Sequence, residues 1–124
     1  MTHRYASARN AAFHTQGGRC YYCEFLMWLT DGTGFAATHG LTLRQAARLQ
    51  ATGEHLVAQQ DGGKHGANVV AACHHCNDLR HKFRPHTAPD PKRYRELVQR
   101  RVKLRKWHAS AVFCLLRGVT PKRR

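Results

Sequence analysis

Nine side chains carry most of the chemistry this sequence can offer. Four are cysteines in two Cys-x-x-Cys pairs, Cys20-Tyr-Tyr-Cys23 and Cys73-His-His-Cys76, with 49 residues between them. A two-residue spacer lets both thiolates of a pair reach one ion, and two pairs complete the tetrahedron that Zn2+ accepts at Zn–S bonds of about 2.3 Å. Such a site has no open position, so the expected zinc is structural and its binding free energy is folding free energy. A redox role would need only one pair, on a thioredoxin-like sheet. His74 and His75 could replace a thiolate, but are expected to face solvent or phosphate. Cys114 lies among Val112, Phe113, Leu115 and Leu116, and is expected to be a buried small hydrophobe without chemistry.

The other five are Glu54, His55, Asn68, Asn77 and His81. Histidine titrates near neutral pH, so His55 can take a proton from water. A carboxylate and an amide oxygen, from Glu54 and Asn77, are hard ligands suited to Mg2+ or Mn2+. One such ion can stabilise the charge developing on a phosphodiester and its leaving oxygen. His81 follows Asn77 by one helical turn and could join the ion, or equally touch phosphate or solvent. On a regular strand, Glu54 and His55 would point to opposite faces, so a shared site requires a twist or bulge.

In chain order these residues form Glu54-His55-Leu56-Val57, Gly62-Gly63, Asn68 and Cys73-His-His-Cys76-Asn77. The pattern resembles the core of the HNH endonuclease family from about Gly18 to Phe83. That resemblance implies a ββα-metal unit, a hairpin crossed by a helix with one divalent ion between. Within the family, two Cys-x-x-Cys pairs bind a separate structural zinc. By the same resemblance His55 is the general base, Glu54 the acidic metal ligand, Asn77 the second metal ligand and Asn68 the residue that orients the catalytic loop and the histidine. Two positions depart from the commoner pattern. Glu54 stands where Asp is frequent, and Asn77 where His is frequent; the latter favours Mg2+ or Mn2+ over a softer catalytic ion.

Positioning these residues takes an α+β fold, expected as a small zinc-stabilised ββα-metal, treble-clef-like core with flanking helices. The expected organisation is a helical segment at residues 1–17, a nuclease core at 18–84, a basic helical extension at 85–120 and a basic tail at 121–124. Within it, Tyr5 to His14 is helix-tolerant and ends at Gly17-Gly18. Arg19 to Met27 suggests a strand or hairpin carrying the first cysteine pair. Thr30 to Gly34 reads as a turn. Thr42 and Gln45 have capping-box spacing, predicting a helix over 42–50 closed by Gly53. Strands are expected at Glu54 to Gln60 and Asn68 to Ala72, around a turn at Asp61-Gly62-Gly63. A helix is expected from Asn77 to Phe83, stopped by Pro85. Asp90-Pro91 opens another, with Tyr94, Leu97, Val98 and Val102 on one side.

Charge narrows the partner. Twenty-one Lys and Arg face seven Asp and Glu, a formal +14. Such an excess repels itself unless a polyanion shares the surface, and nucleic acid is the commonest one. Lys92 to Arg124 alone holds twelve basic residues against Glu96. Arg80, Lys82 and Arg84 follow Asn77 and are expected to hold phosphates, positioning double-stranded DNA without reading its sequence. His65 could touch DNA, but solvent exposure is expected. Trp28, Trp107 and the tyrosines could stack on bases; core packing is the expected role. No signal-like apolar stretch opens the sequence, and no run approaches the ~20 apolar residues of a membrane span, so a cytoplasmic, bacterial or phage-type protein is expected. Oligomeric state, a possible dimer included, stays open. The competing reading is a zinc-binding nucleic-acid module without catalysis.

Overall fold

The computed structural model describes residues 3–56, 68–82 and 89–116. The elements in order are α1 (His3–Thr15), α2 (Gly32–His39), α3 (Leu43–Ala47), β1 (Ala51–His55), β2 (Val69–Cys73), α4 (His74–Lys82), α5 (Pro91–Lys103) and a 3-10 helix (Ser110–Leu115). The class is α+β: one two-stranded antiparallel sheet among helices. Its ladder pairs Ala51 with Cys73 and runs to His55 opposite Val69. The turn at Asp61-Gly62-Gly63, His65, Arg84, Pro85 and the basic tail lie outside the described residues.

All of β2 is buried, which suits its run of small and β-branched residues. α1 packs along both strands, and the Gln16 side chain beyond its end acts as a substitute strand. Gln16 Nε2 donates to Ala71 O at 2.8 Å while its Oε1 accepts from Ala71 N at 2.9 Å. On the other side, α4 begins where β2 ends. His74 N and His75 N donate to Gln50 O and Arg48 O, so the start of α4 is tied to the chain entering β1.

α5 obeys its sequence signals. The Asp90 carboxylate accepts from Arg93 N, Pro91 stands in the first turn, and Tyr94, Val98 and Val102 are buried. It closes on the first cysteine pair through Arg95 Nε to Tyr21 O at 2.8 Å and through Gln99 Nε2 to Tyr22 O. Tyr94 Oη donates to Cys76 O at 2.6 Å, tying the same helix to the second pair. Beyond α5, Lys106 N and Arg105 N donate back to Arg101 O and Val102 O, with Arg105 at φ +60°. This is a Schellman ending with arginine in the place that favours glycine.

Several expectations change. The helix expected from Asn77 already starts at His74, where β2 ends, and the strand expected over Glu54 to Gln60 is Ala51–His55. The segment from Thr30 to Gly34 is no simple turn. Asp31 Oδ1 accepts from Gly34 N at 2.8 Å and caps a helix running on to His39. The Thr42–Gln45 capping box is present, but α3 ends at Ala47. Leu49 must be fully buried and Gln50 bridges Trp28, so β1 starts at Ala51 and takes in Gly53. Cys114 is exposed, because the buried side of its 3-10 turn is taken by Val112, Phe113 and Leu115.

Candidate functional site

The four paired cysteines converge. Their Sγ atoms all lie within 4.8 Å of one another, and all four residues are buried. A tetrahedron with metal–sulfur bonds of about 2.3 Å has edges of about 3.8 Å, and Cys23 Sγ is 3.8 Å from Cys73 Sγ. No disulfide joins them. The local folding follows from the spacing. Arg19 bridges Leu26 and closes a tight turn in which Glu24 takes φ +64°, aiming Cys20 and Cys23 at one point. The second pair straddles the junction of β2 and α4, so Cys76 sits in the first turn of a helix, where the dipole favours negative charge.

Backbone and side-chain donors surround the sulfurs. Tyr22 N and Cys73 N donate to Cys20 Sγ at 3.4 and 3.3 Å, and Cys76 N donates to Cys73 Sγ at 3.4 Å. Trp107 Nε1 donates to Cys76 Sγ at 3.2 Å, and His108 Nε2 lies 3.4 Å from Cys23 Sγ. Burial, followed by hydrogen bonding to Cys20, pushes the Cys23, Cys73 and Cys76 thiols up. At Cys20 burial is outweighed by hydrogen bonds from the other three thiols, and its thiol is held well below the ordinary value. Four negative sulfurs in one buried volume need a cation among them. The donor set therefore fits a tetrahedral thiophilic ion, and Cys20, Cys23, Cys73 and Cys76 could bind zinc.

Trp107 and His108 were not foreseen as partners of this cluster, because they lie more than thirty residues beyond Cys76 with no motif to announce them. His75 also departs from expectation. It is half-buried, with Nε2 3.0 Å from Trp107 O and its ring against Trp107 and His108. His74 is exposed, as expected.

A second polar cluster sits across β1 and α4. Glu54 is 3% exposed. Arg80 Nη1 donates to its Oε1 at 2.6 Å, and His81 Nε2 lies 3.0 and 3.3 Å from Oε1 and Oε2. One turn earlier on α4, Asn77 Nδ2 donates to Thr52 Oγ1 at 3.0 Å, and Thr52 Oγ1 donates to Ala72 O at 2.7 Å. Thr52 and Glu54 alternate onto the same face of β1, and Asn77 and His81 share the face of α4 that meets it. Asn77 is thus held with its Oδ1 free of the Thr52 bond.

His55 follows Glu54 on β1, and the ladder continues through it without a bulge. Strand alternation therefore turns it to the other side from Glu54. Asn68 adjoins the start of β2, where its carbonyl accepts from Leu56 N at 2.9 Å. So the geometry brings Glu54 to His81, with Asn77 alongside, and sets His55 and Asn68 at the end of the hairpin where the two strands are connected. Arg80, expected to touch phosphate, is 6% exposed and gives its guanidinium to Glu54 and to Pro89 O; Lys82 is exposed.

Among the described residues, no helix is long and apolar enough to cross a membrane. Comparison with protein-family profiles, with curated proteins and with solved structures finds no match to this chain.

Proposed function

We propose that the chain is an HNH-type endonuclease that hydrolyses phosphodiester bonds in DNA, built on a ββα-metal, treble-clef-like core stapled by zinc. The observation that carries this reading is the juxtaposition of Glu54, His81 and Asn77 across β1 and α4, next to the cysteine cluster that fixes both elements. Octahedral coordination at about 2.1 Å has ligand–ligand edges of about 3.0 Å, and His81 Nε2 is 3.0 Å from Glu54 Oε1. Glu54, Asn77 and His81 would hold a Mg2+ or Mn2+ ion. When bound, such an ion stabilises negative charge on the scissile phosphate and leaving oxygen.

In this reading the chain's own residues do the rest. By the family resemblance His55 takes the proton of the attacking water. As the last residue of β1, facing away from Glu54, it can do so only by swinging round the strand end to the Glu54 side. Asn68, next to the partner of His55 at the connected end of the hairpin, has the orienting role that the resemblance gives it. Thr52 fixes the Asn77 amide. Lys82 and the exposed cations of α5 bind the flanking phosphates.

One observation favours a second reading, a zinc-binding nucleic-acid module. The Arg80 guanidinium already neutralises Glu54, which weakens its pull on a second cation. A plasmid-nicking assay of the zinc-loaded protein separates the two. Mg2+ or Mn2+ should support nicking that EDTA and His55→Ala abolish. Plasmid binding without nicking under either ion would leave the binding module.

A further inference from the structure

A cavity of about 430 Å³ lies between α4, α5 and the turn after α5, within the ~300–1,000 Å³ range of small-ligand sites. Leu79, Tyr94, Leu97 and Trp107 wall it, and Arg101 and Lys106 stand at its edge. At about 100° per residue, the α4 face carrying His75 and Leu79 is opposite the face carrying Asn77 and His81. The cavity therefore opens on the other side of α4 from Asn77 and His81, with Arg80, the partner of Glu54, lining it between the two. Both edge cations are exposed, and neither is paired with an acid among the described residues. The Schellman bond from Lys106 N to Arg101 O, 3.0 Å, holds their backbones together.

We propose that this cavity is a nucleotide subsite: it takes the base of an unpaired nucleotide against Trp107, with the adjoining phosphodiester held by Arg101 and Lys106. An aromatic, apolar wall suits a planar ring, and two unpaired cations at its edge select a ring that carries an anion. A base stacked inside a duplex cannot reach such a pocket, so the site distinguishes unpaired from paired strands. The inference extends the nuclease reading by naming the form of nucleic acid the chain grips.

The test reads binding alone. The chain has two tryptophans, so a zinc-loaded His55→Ala/Trp28→Phe protein reports only Trp107 and cannot cut by the proposed mechanism. It is titrated with a twelve-nucleotide oligothymidylate and with a blunt duplex of equal length. Oligothymidylate should quench Trp107 to saturation while the duplex does not. Replacing both surface cations, Arg101→Gln/Lys106→Gln, should weaken the single strand about fivefold or more and lower the salt slope by one to two contacts. Unchanged Trp107 emission at saturating oligothymidylate, equal quenching by the duplex, or undiminished affinity in the double variant would each overturn the subsite. Nicking by the wild type without this quenching sinks the subsite alone, and quenching without nicking sinks the nuclease reading alone.

Discussion

Arg80 Nη1 lies 2.6 Å from Glu54 Oε1, and the two side chains are 7% and 3% exposed. Removing one partner of a buried ion pair strands the other charge, which typically costs ~3–5 kcal/mol, whereas replacing both is far milder. Arg80→Met should lose stability on that scale, and Glu54→Gln/Arg80→Met should recover much of it. Urea unfolding of the zinc-loaded proteins measures both. A cost below about 1 kcal/mol for Arg80→Met would contradict a buried pair.

Acid should release the metal and unfold the chain together. Zinc requires four thiolates, and protons compete for them as pH falls. His108 acts in the same direction. Burial, then the neighbouring His75, lowers it from 6.5 to about 3. Below about 6.5 the unfolded chain takes up a proton that the folded chain refuses until about 3. Its contribution is therefore complete above 6.5 and drains away as pH falls, at about 1.4 kcal/mol per pH unit. Chemical denaturation at pH 7 and pH 5 should show the loss, and His108→Phe should flatten it. Equal stability at both values would exclude this account.

Trp107 should hold zinc as well as pack. Its indole N–H reaches Cys76 Sγ at 3.2 Å, and removing such a partner commonly weakens metal affinity by about 10–100-fold. Trp107→Phe keeps the ring and loses the donor, so it should fall near the lower end. Trp28→Phe is the control, since that indole N–H goes to Ala46 O. Competition against a chromophoric chelator would measure the difference, and identical affinities would show the N–H···S contact to be inert.

The cysteine spacing and the helix caps were legible because each depends on residues a few positions apart. Asp90-Pro91 and Thr42–Gln45 signal their own geometry, and four cysteines signal an ion by chemistry alone. α2 was hidden because Gly32 and Gly34 are poor helix formers, and the Asp31 cap outweighs them only in place. The partners of the charged groups were illegible for another reason. Arg80 reads as one more phosphate contact in a basic run. Its burial arises only when α4 lies across β1 and a buried carboxylate must be neutralised. Gln16 and Thr52 are similar: their roles are set by the backbone or side chain that folding brings beside them.

Tyr22 is fully buried, and among the described residues its hydroxyl has no hydrogen-bond partner. Burial and the nearby Glu54 charge raise its phenol above the usual range, so it stays neutral. Its ring packs edge-on against Tyr94 at 4.9 Å. An unsatisfied buried hydroxyl costs about 1–3 kcal/mol. Tyr22→Phe keeps the ring and should therefore raise stability, by about 1 kcal/mol. A clear loss in urea unfolding would mean that the hydroxyl has a partner.

Thr52 should tune the proposed catalytic ion without touching it. Its hydroxyl accepts from Asn77 Nδ2 and donates to Ala72 O, fixing which way the amide faces. Thr52→Val conserves shape but frees the amide to rotate, so a ligand oxygen would no longer be held ready. Mn2+ affinity, followed by electron paramagnetic resonance, should fall several-fold, while Thr52→Ser stays near wild type. The folding cost should be only about 1 kcal/mol, since Asn77 is half-exposed and can turn to water. A role in packing alone would lower stability in Thr52→Val and leave Mn2+ binding unmoved. That outcome would remove Asn77 from the ligand set.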